Sequence, residues 1–272
     1  MRTPSEAKAR VRPAVHAGRF YPEDAIRLRA EVAALLGRTS PQTGPVPKAM
    51  IAPHAGYVYS GPIAASAYAC LQPVRDRLRR VVLIGPSHSL GFHGVALSAA
   101  DAFATPLGLV GLDDTALAQV RKLPAVQVNE EAHRPEHCLE VQLPFLQVVL
   151  PEFRLVPLLV GEAGEAEVAD VLDALWGGAE TCVIVSSDLS HYQDYATALV
   201  RDRRTAAAIV ALQGNQLDPD CACGWEPIRG LLCAARRRGL KARTIDLRNS
   251  GDTAGGRDRV VGYGVFAFAS LA

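Results

Sequence analysis

Five stretches of the chain are continuously apolar and rich in β-branched residues: 48–52 (KAMIA), 80–85 (RVVLIG), 154–160 (RLVPLLV), 181–187 (TCVIVSS) and 258–268 (DRVVGYGVFAF). Runs of this length without polar alternation are typical of strands covered on both faces. Between them, apolar positions recur at helical spacing over 24–36, 60–71, 138–149, 164–175, 197–212 and 226–238. Ser60 before Gly61-Pro62 predicts the start of the second helix, with Pro62 just inside it. This alternation predicts an α/β fold: one three-layer α/β/α domain over residues 1–272, with a mixed, mostly parallel sheet. The Pro/Gly-rich stretch 39–47 reads as a surface loop, because composition does not change across it.

Composition adds mainly exclusions. The 272 residues are 49% hydrophobic and 21% charged, with a formal net charge of +1. That balance gives no electrostatic reason to expect nucleic acid or an anionic membrane as partner. The six cysteines contain no C-x-x-C pair, so a zinc finger or a secreted disulfide framework is not indicated. The N-terminal stretch MRTPSEAKARVRPAVHAG has no apolar leader region, and no apolar run is long enough to span a bilayer. A soluble, cytoplasmic protein with reduced thiols is expected.

In open α/β sheets, ligands bind beyond the carboxyl ends of the strands. His54 follows the first apolar run in APHAGY, His88 follows the second in GPSHS, and Asp188 and His191 follow the fourth in SSDLSH. Each histidine alone is an ordinary loop residue; three of the chain's seven at successive strand ends predict one site. Two imidazoles with a carboxylate or thiolate suit a first-row metal and leave positions open. The thiolate candidate is Cys223 in CACGWEP, before the helix at 226–238, where a helix N-terminus favours the anion. Cys221 is a possible competitor, and Gly224 would let the backbone approach closely.

A second cluster lies in EEAHRPEHCLEVQLPFL. His137 and Glu140, three apart on an expected helix, would share a face and could bind metal or handle a proton; a buried supporting carboxylate is the equal alternative. Glu136 and His133 begin the cluster, and His133 is expected at the surface. His93 reads as a loop residue and His16 as part of a pocket rim. Tyr57 and Tyr192 could orient a substrate or simply pack. G-x-S-x-G, a post-strand G-x-G-x-x-G and the P-loop are absent, which removes support for a serine hydrolase, a nucleotide oxidoreductase and an NTPase.

IAPHAGYVYSGPIAASAY, LIGPSH, EHCLEVQLPFL, SSDLSHY, ACGWEP and NSGDTAG together resemble the Memo family, whose bacterial members are called AmmeMemoRadiSam system protein B. The resemblance runs from about Pro13 to Phe268. It implies a fold similar to class III extradiol dioxygenases, with non-haem iron(II), or else copper or zinc, held by His54, His88 and Cys223. It implies His191 as acid–base residue, with Asp188 in the same pocket. The dioxygenases use a glutamate where this family has the cysteine, and a thiolate donates more charge and is itself oxidisable. Glu226 stands where some eukaryotic relatives have histidine, and is either a spare carboxylate near the metal or a first-turn helix residue. The group's name implies a functional link to AMMECR1-type and radical SAM proteins. The expected activity is oxidation of a small aromatic or enol substrate; the alternatives are a metal- or peptide-binding module without turnover, and a zinc hydrolase.

Overall fold

The computed structural model describes residues 9–40 and 44–270. Positions 41–43 of the expected surface loop, and residues 1–8 of the N-terminal stretch, lie outside the described residues. In chain order the first half forms β1 (Val11–Arg12), α1 (Ala25–Gly37), β2 (Ala49–Ala52), α2 (Tyr57–Ala69), β3 (Arg80–Pro86), β4 (Val95–Leu97), β5 (Ala102–Thr105) and β6 (Gly108–Gly111). Then follow α3 (Asp114–Val120), β7 (Val126–Val128), α4 (Glu130–His133), α5 (Leu143–Val149), β8 (Arg154–Val160) and α6 (Glu165–Leu175). The last part contains β9 (Thr181–Ser186), β10 (His191–Gln193), α7 (Tyr195–Val210), α8 (Trp225–Arg237), β11 (Lys241–Asn249) and β12 (Val260–Ala269).

The apolar runs become the middle of a nine-stranded mixed sheet in the order β10-β12-β2-β9-β3-β8-β4-β7, with β11 also paired to β12. Strands β2, β9, β3 and β8 are mutually parallel, and β12 runs antiparallel to β2. Every residue of β2 and β9 is buried, which is why those segments carry no polar alternation. Two groups of helices flank the sheet: α1, α2 and α5 pack together, as do α6 and α8 with α3. This is the expected three-layer α/β/α arrangement, in keeping with the dioxygenase-like fold. A small sheet, β1-β5-β6, lies apart from it. Among the described residues, no helix is long and apolar enough to cross a membrane.

Two expected elements are corrected. Helix α2 begins at Tyr57, so Pro62 lies inside it. The start is fixed from outside: the Tyr57 N–H donates to Phe20 O at 2.8 Å, and Ser60 Oγ donates back to Ala55 O at 2.7 Å. The window 138–149 is a turn, a short 3-10 segment at Glu140–Gln142, and then α5. The amides of His137 and Cys138 are drawn to the Glu136 carboxylate, at 2.9 and 3.0 Å, and Pro144 occupies the first turn of α5.

Candidate metal centre

The parallel register lines up the carboxyl ends of three neighbouring strands: Ala52 pairs with Ser186, and Ile84 with Val185. Two residues past the end of each strand the chain delivers a side chain to the same place: His54 after β2, His88 after β3 and Asp188 after β9. Cys223 is supplied by the loop entering α8. Gly224 makes that approach possible, because a Cβ there would stand 2.7 Å from Ser187 Cβ. The Gly224 N–H instead donates to Ser187 Oγ at 2.9 Å, pinning the loop to the end of β9.

Within this cluster His54 Nε2 is 3.3 Å from Cys223 Sγ. One donor atom from each of His54, His88 and Cys223 lies within 4.8 Å of the others. A metal with bonds of about 2.0–2.1 Å to nitrogen and 2.3 Å to sulfur would space two such donors about 3.1 Å apart at a right angle and about 3.6 Å at the tetrahedral angle. The observed separation falls between them, so the residues fit a first-row ion. The outward ring nitrogens are also engaged, as in metal-ligating histidines: His54 Nδ1 lies 2.9 Å from Ser186 Oγ, and His88 Nδ1 lies 2.9 Å from Glu136 Oε1. His54 is buried, Cys223 half-buried, and the His88 side chain 30% exposed, so the cluster has a closed back and an open front.

Burial and hydrogen bonding act in opposite directions on the two histidines. Burial, then the neighbouring His88 and His137, hold the His54 pKa well below its usual value, keeping the ring in its neutral, ligand form. Burial would lower His88 as well, but its hydrogen bonds to Cys223 and Glu136 outweigh that and push it up to about 10. The His88 ring itself therefore favours its protonated form, and it must lose that proton to act as a ligand. Glu136 is 1% exposed, and burial alone would raise its pKa. Hydrogen bonds from His137 and His88 instead hold it well below the usual carboxylate range. The carboxylate also accepts the backbone N–H of His88 at 2.7 Å. A second donor group, His88 with Glu136 and Cys138, is not open in the same way. Its carboxylate is occupied by these bonds, and Cys138 Sγ donates to Pro86 O at 3.3 Å.

Asp188 is buried at the base, where its Oδ1 accepts the His54 N–H at 2.8 Å. Burial raises its pKa, partly offset by that hydrogen bond. His191 opens β10, half-buried, and is near enough for its charge to act on both His54 and Asp188. The adjacent Tyr192 is exposed, with Arg259 over its ring, and adopts φ 59°, a conformation side chains usually avoid. His137 packs its ring 4.6 Å from His88 and 5.2 Å from His54, centre to centre, against Phe20 and His16. His16 therefore does stand at the rim.

Other expectations change. His133 is 1% exposed rather than at the surface, and its Nε2 bonds to Ala96 O at 3.0 Å. Glu140 is turned away from the cluster. It pairs with the buried Arg12 at 2.8 Å and accepts from Tyr21 Oη at 2.6 Å and the His16 N–H at 2.8 Å, which is the supporting role. Glu226 accepts a long bond from the Ala163 N–H in the first turn of α8, outside the donor group. Cys221 Sγ faces Gln216 O at 3.8 Å and does not compete with Cys223. Tyr57 packs, donating to Val141 O at 2.7 Å, and His93 is an exposed loop residue facing Glu162. The contributions of Glu136, Ser186 and Gln142 were missed. The one available signal was an acid directly before His-Cys in an apolar stretch.

The family model described as Memo-like protein matches residues 12–267. A MEMO1 family protein of Methanothermobacter thermautotrophicus is 37% identical over 93% of this chain and 98% of its own length. MEMO1 family proteins of Aquifex aeolicus and Sulfolobus acidocaldarius are each 34% identical, over 93% and 92% of this chain and 97% and 96% of their own.

Proposed function

The chain belongs to the Memo family, and on that premise we propose that it is a metal-dependent oxidoreductase, with iron(II) or copper held by His54, His88 and Cys223. The single observation behind this reading is the 3.3 Å approach of His54 Nε2 to Cys223 Sγ with a His88 donor in reach of both. When bound, such an ion would supply redox exchange with dioxygen and neutralise an ionised oxygen on the substrate.

The chain's own groups account for the rest. The buried back formed by His54, Ser186 and Asp188 excludes water, while the exposed side of His88 leaves entry for a small molecule. The substrate proposed is a small aromatic or enol, whose planar ring would lie against Phe20 and the outer imidazoles His137 and His16. His191, half-buried where β10 opens beside the cluster, is the side chain proposed to move the substrate proton. Asp188, with its pKa raised by burial, serves as a nearby carboxyl that can hold a proton.

Elemental analysis of protein purified without oxygen is the first test, followed by oxygen-uptake assays of the iron- and copper-loaded protein on a panel of phenols, catechols and enols. Stoichiometric iron or copper with uptake on at least one substrate is the expected result. Stoichiometric zinc without uptake would favour a hydrolase built on the same donors. Metal binding with no uptake on any substrate would overturn the oxidoreductase and leave a metal-binding module.

A further inference from the structure

Gln142 touches none of the three donor atoms, yet it helps orient the Ser186 hydroxyl that sets which nitrogen of His54 carries the proton. It is 1% exposed, at the end of the Glu140–Gln142 turn between Val141 and Leu143. A buried amide must place both of its ends. Its Oε1 accepts from Tyr68 Oη at 2.6 Å, and its Nε2 donates to Pro53 O at 2.9 Å and to Ser186 Oγ at 2.7 Å. The Pro53 carbonyl has no proton to give, so the amide nitrogen must face it. The oxygen then faces Tyr68, whose hydroxyl burial keeps protonated.

Ser186 Oγ has one proton, and it is committed to Cys138 O at 2.7 Å, another group that can only accept. The same oxygen receives the Gln142 N–H. Its remaining neighbour is His54 Nδ1 at 2.9 Å, and toward that atom the oxygen can act only as acceptor. Nδ1 therefore carries the hydrogen, and in the neutral ring Nε2 is bare, 3.3 Å from Cys223 Sγ. The members of this relay are buried throughout, so water cannot substitute for a lost bond.

We infer that Gln142 and Ser186 are positioning residues that lock His54 in its Nδ1–H tautomer and present the Nε2 lone pair to a borderline or soft first-row cation. The use assigned to the lone pair rests on the metal-centre reading; the tautomer does not.

Long-range proton–nitrogen NMR of the full-length, nitrogen-15-labelled protein without added metal reads the tautomer directly. Wild type should show His54 Nε2 as the unprotonated nitrogen. Ser186→Ala removes the acceptor and should shift the ring toward the Nε2–H form. Gln142→Met removes one donor to Ser186 Oγ but leaves Cys138 O to take the hydroxyl proton, so it should shift the tautomer less than Ser186→Ala does. Cobalt(II) titration should show affinity weakened about 10–100-fold in Ser186→Ala, and less in Gln142→Met. A protonated Nε2 in wild type overturns the inference, as does an unchanged tautomer in either folded variant. If Ser186→Ala does not fold, wild type and Gln142→Met decide the matter. Tautomers that shift as described in a protein that takes up no cobalt would sink the metal-centre reading and leave the relay standing.

Discussion

Arg12 and Glu140 make an ion pair of 2.8 Å with side chains 1% and 0% exposed, joining the N-terminal arm to the loop that carries Glu136. Arg12 also donates to the carbonyls of His133, at 2.7 Å, and Glu136, while Glu140 accepts from Tyr21 Oη and the amides of Val15 and His16. Every charge here is matched, so removing one partner leaves the other uncompensated in a dry interior. Arg12→Met and Glu140→Gln should each cost about 3–5 kcal/mol. The double variant leaves no orphan charge and should cost clearly less than the sum, by about 2–4 kcal/mol. At about 2–4 °C per kcal/mol for a chain of this size, each single change should lower Tm by roughly 6–20 °C. Urea unfolding of wild type, both singles and the double at pH 7 measures the coupling. A coupling below about 1 kcal/mol would refute the claim that the pair is held as a dry, mutually dependent unit. Cobalt affinity should be unchanged in Glu140→Gln, because Glu140 faces Arg12 and not the donor group.

Glu136→Gln replaces an acceptor-only group by one whose NH2 faces N–H donors, so it should weaken cobalt binding at least 10-fold in competition with a coloured chelator. Gly224→Ala forces the loop off Ser187 and should likewise weaken binding through displacement of Cys223; full affinity with an unshifted loop would contradict the close-approach argument. The His133 pKa is lowered by burial to about 4, against 6.5 for a free histidine. The unfolded chain thus binds more protons between those values, so this histidine's contribution to stability is complete above pH 6.5 and is lost as pH falls toward 4. The loss is about 3 kcal/mol, and His133→Gln should flatten that part of the urea-midpoint profile against pH.

The sheet was legible where burial is two-sided. Runs such as VVLI in β3 and CVIV in β9 have only one stable location, and the rule of strand ends then brings His54, His88 and Asp188 together. Strand β11 escaped notice because Lys241, Arg243, Asp246 and Arg248 break its apolar pattern, and it is held by pairing with β12 rather than by a buried face. The helix expected at 138–149 failed for the opposite reason: its spacing was right, but the Glu136 carboxylate captures the amides that would have started it. His133 sits in a charged run and reads as surface, yet it lies under Ala96. Glu136, Gln142 and Ser186 act across separations of 44 to 48 residues, and no local pattern reports such pairings.

The three donors lie far apart in the chain, at residues 54, 88 and 223, and an ion held by all of them would act as a cross-link. It would close one loop of 34 residues (88 − 54) and another of 135 (223 − 88). Since the open chain could not hold the ion in this way, occupancy would deepen the folded state in proportion to the logarithm of free metal. Resistance to proteolysis, and with it the protein's lifetime in a cell, would then follow metal supply even in the absence of any substrate.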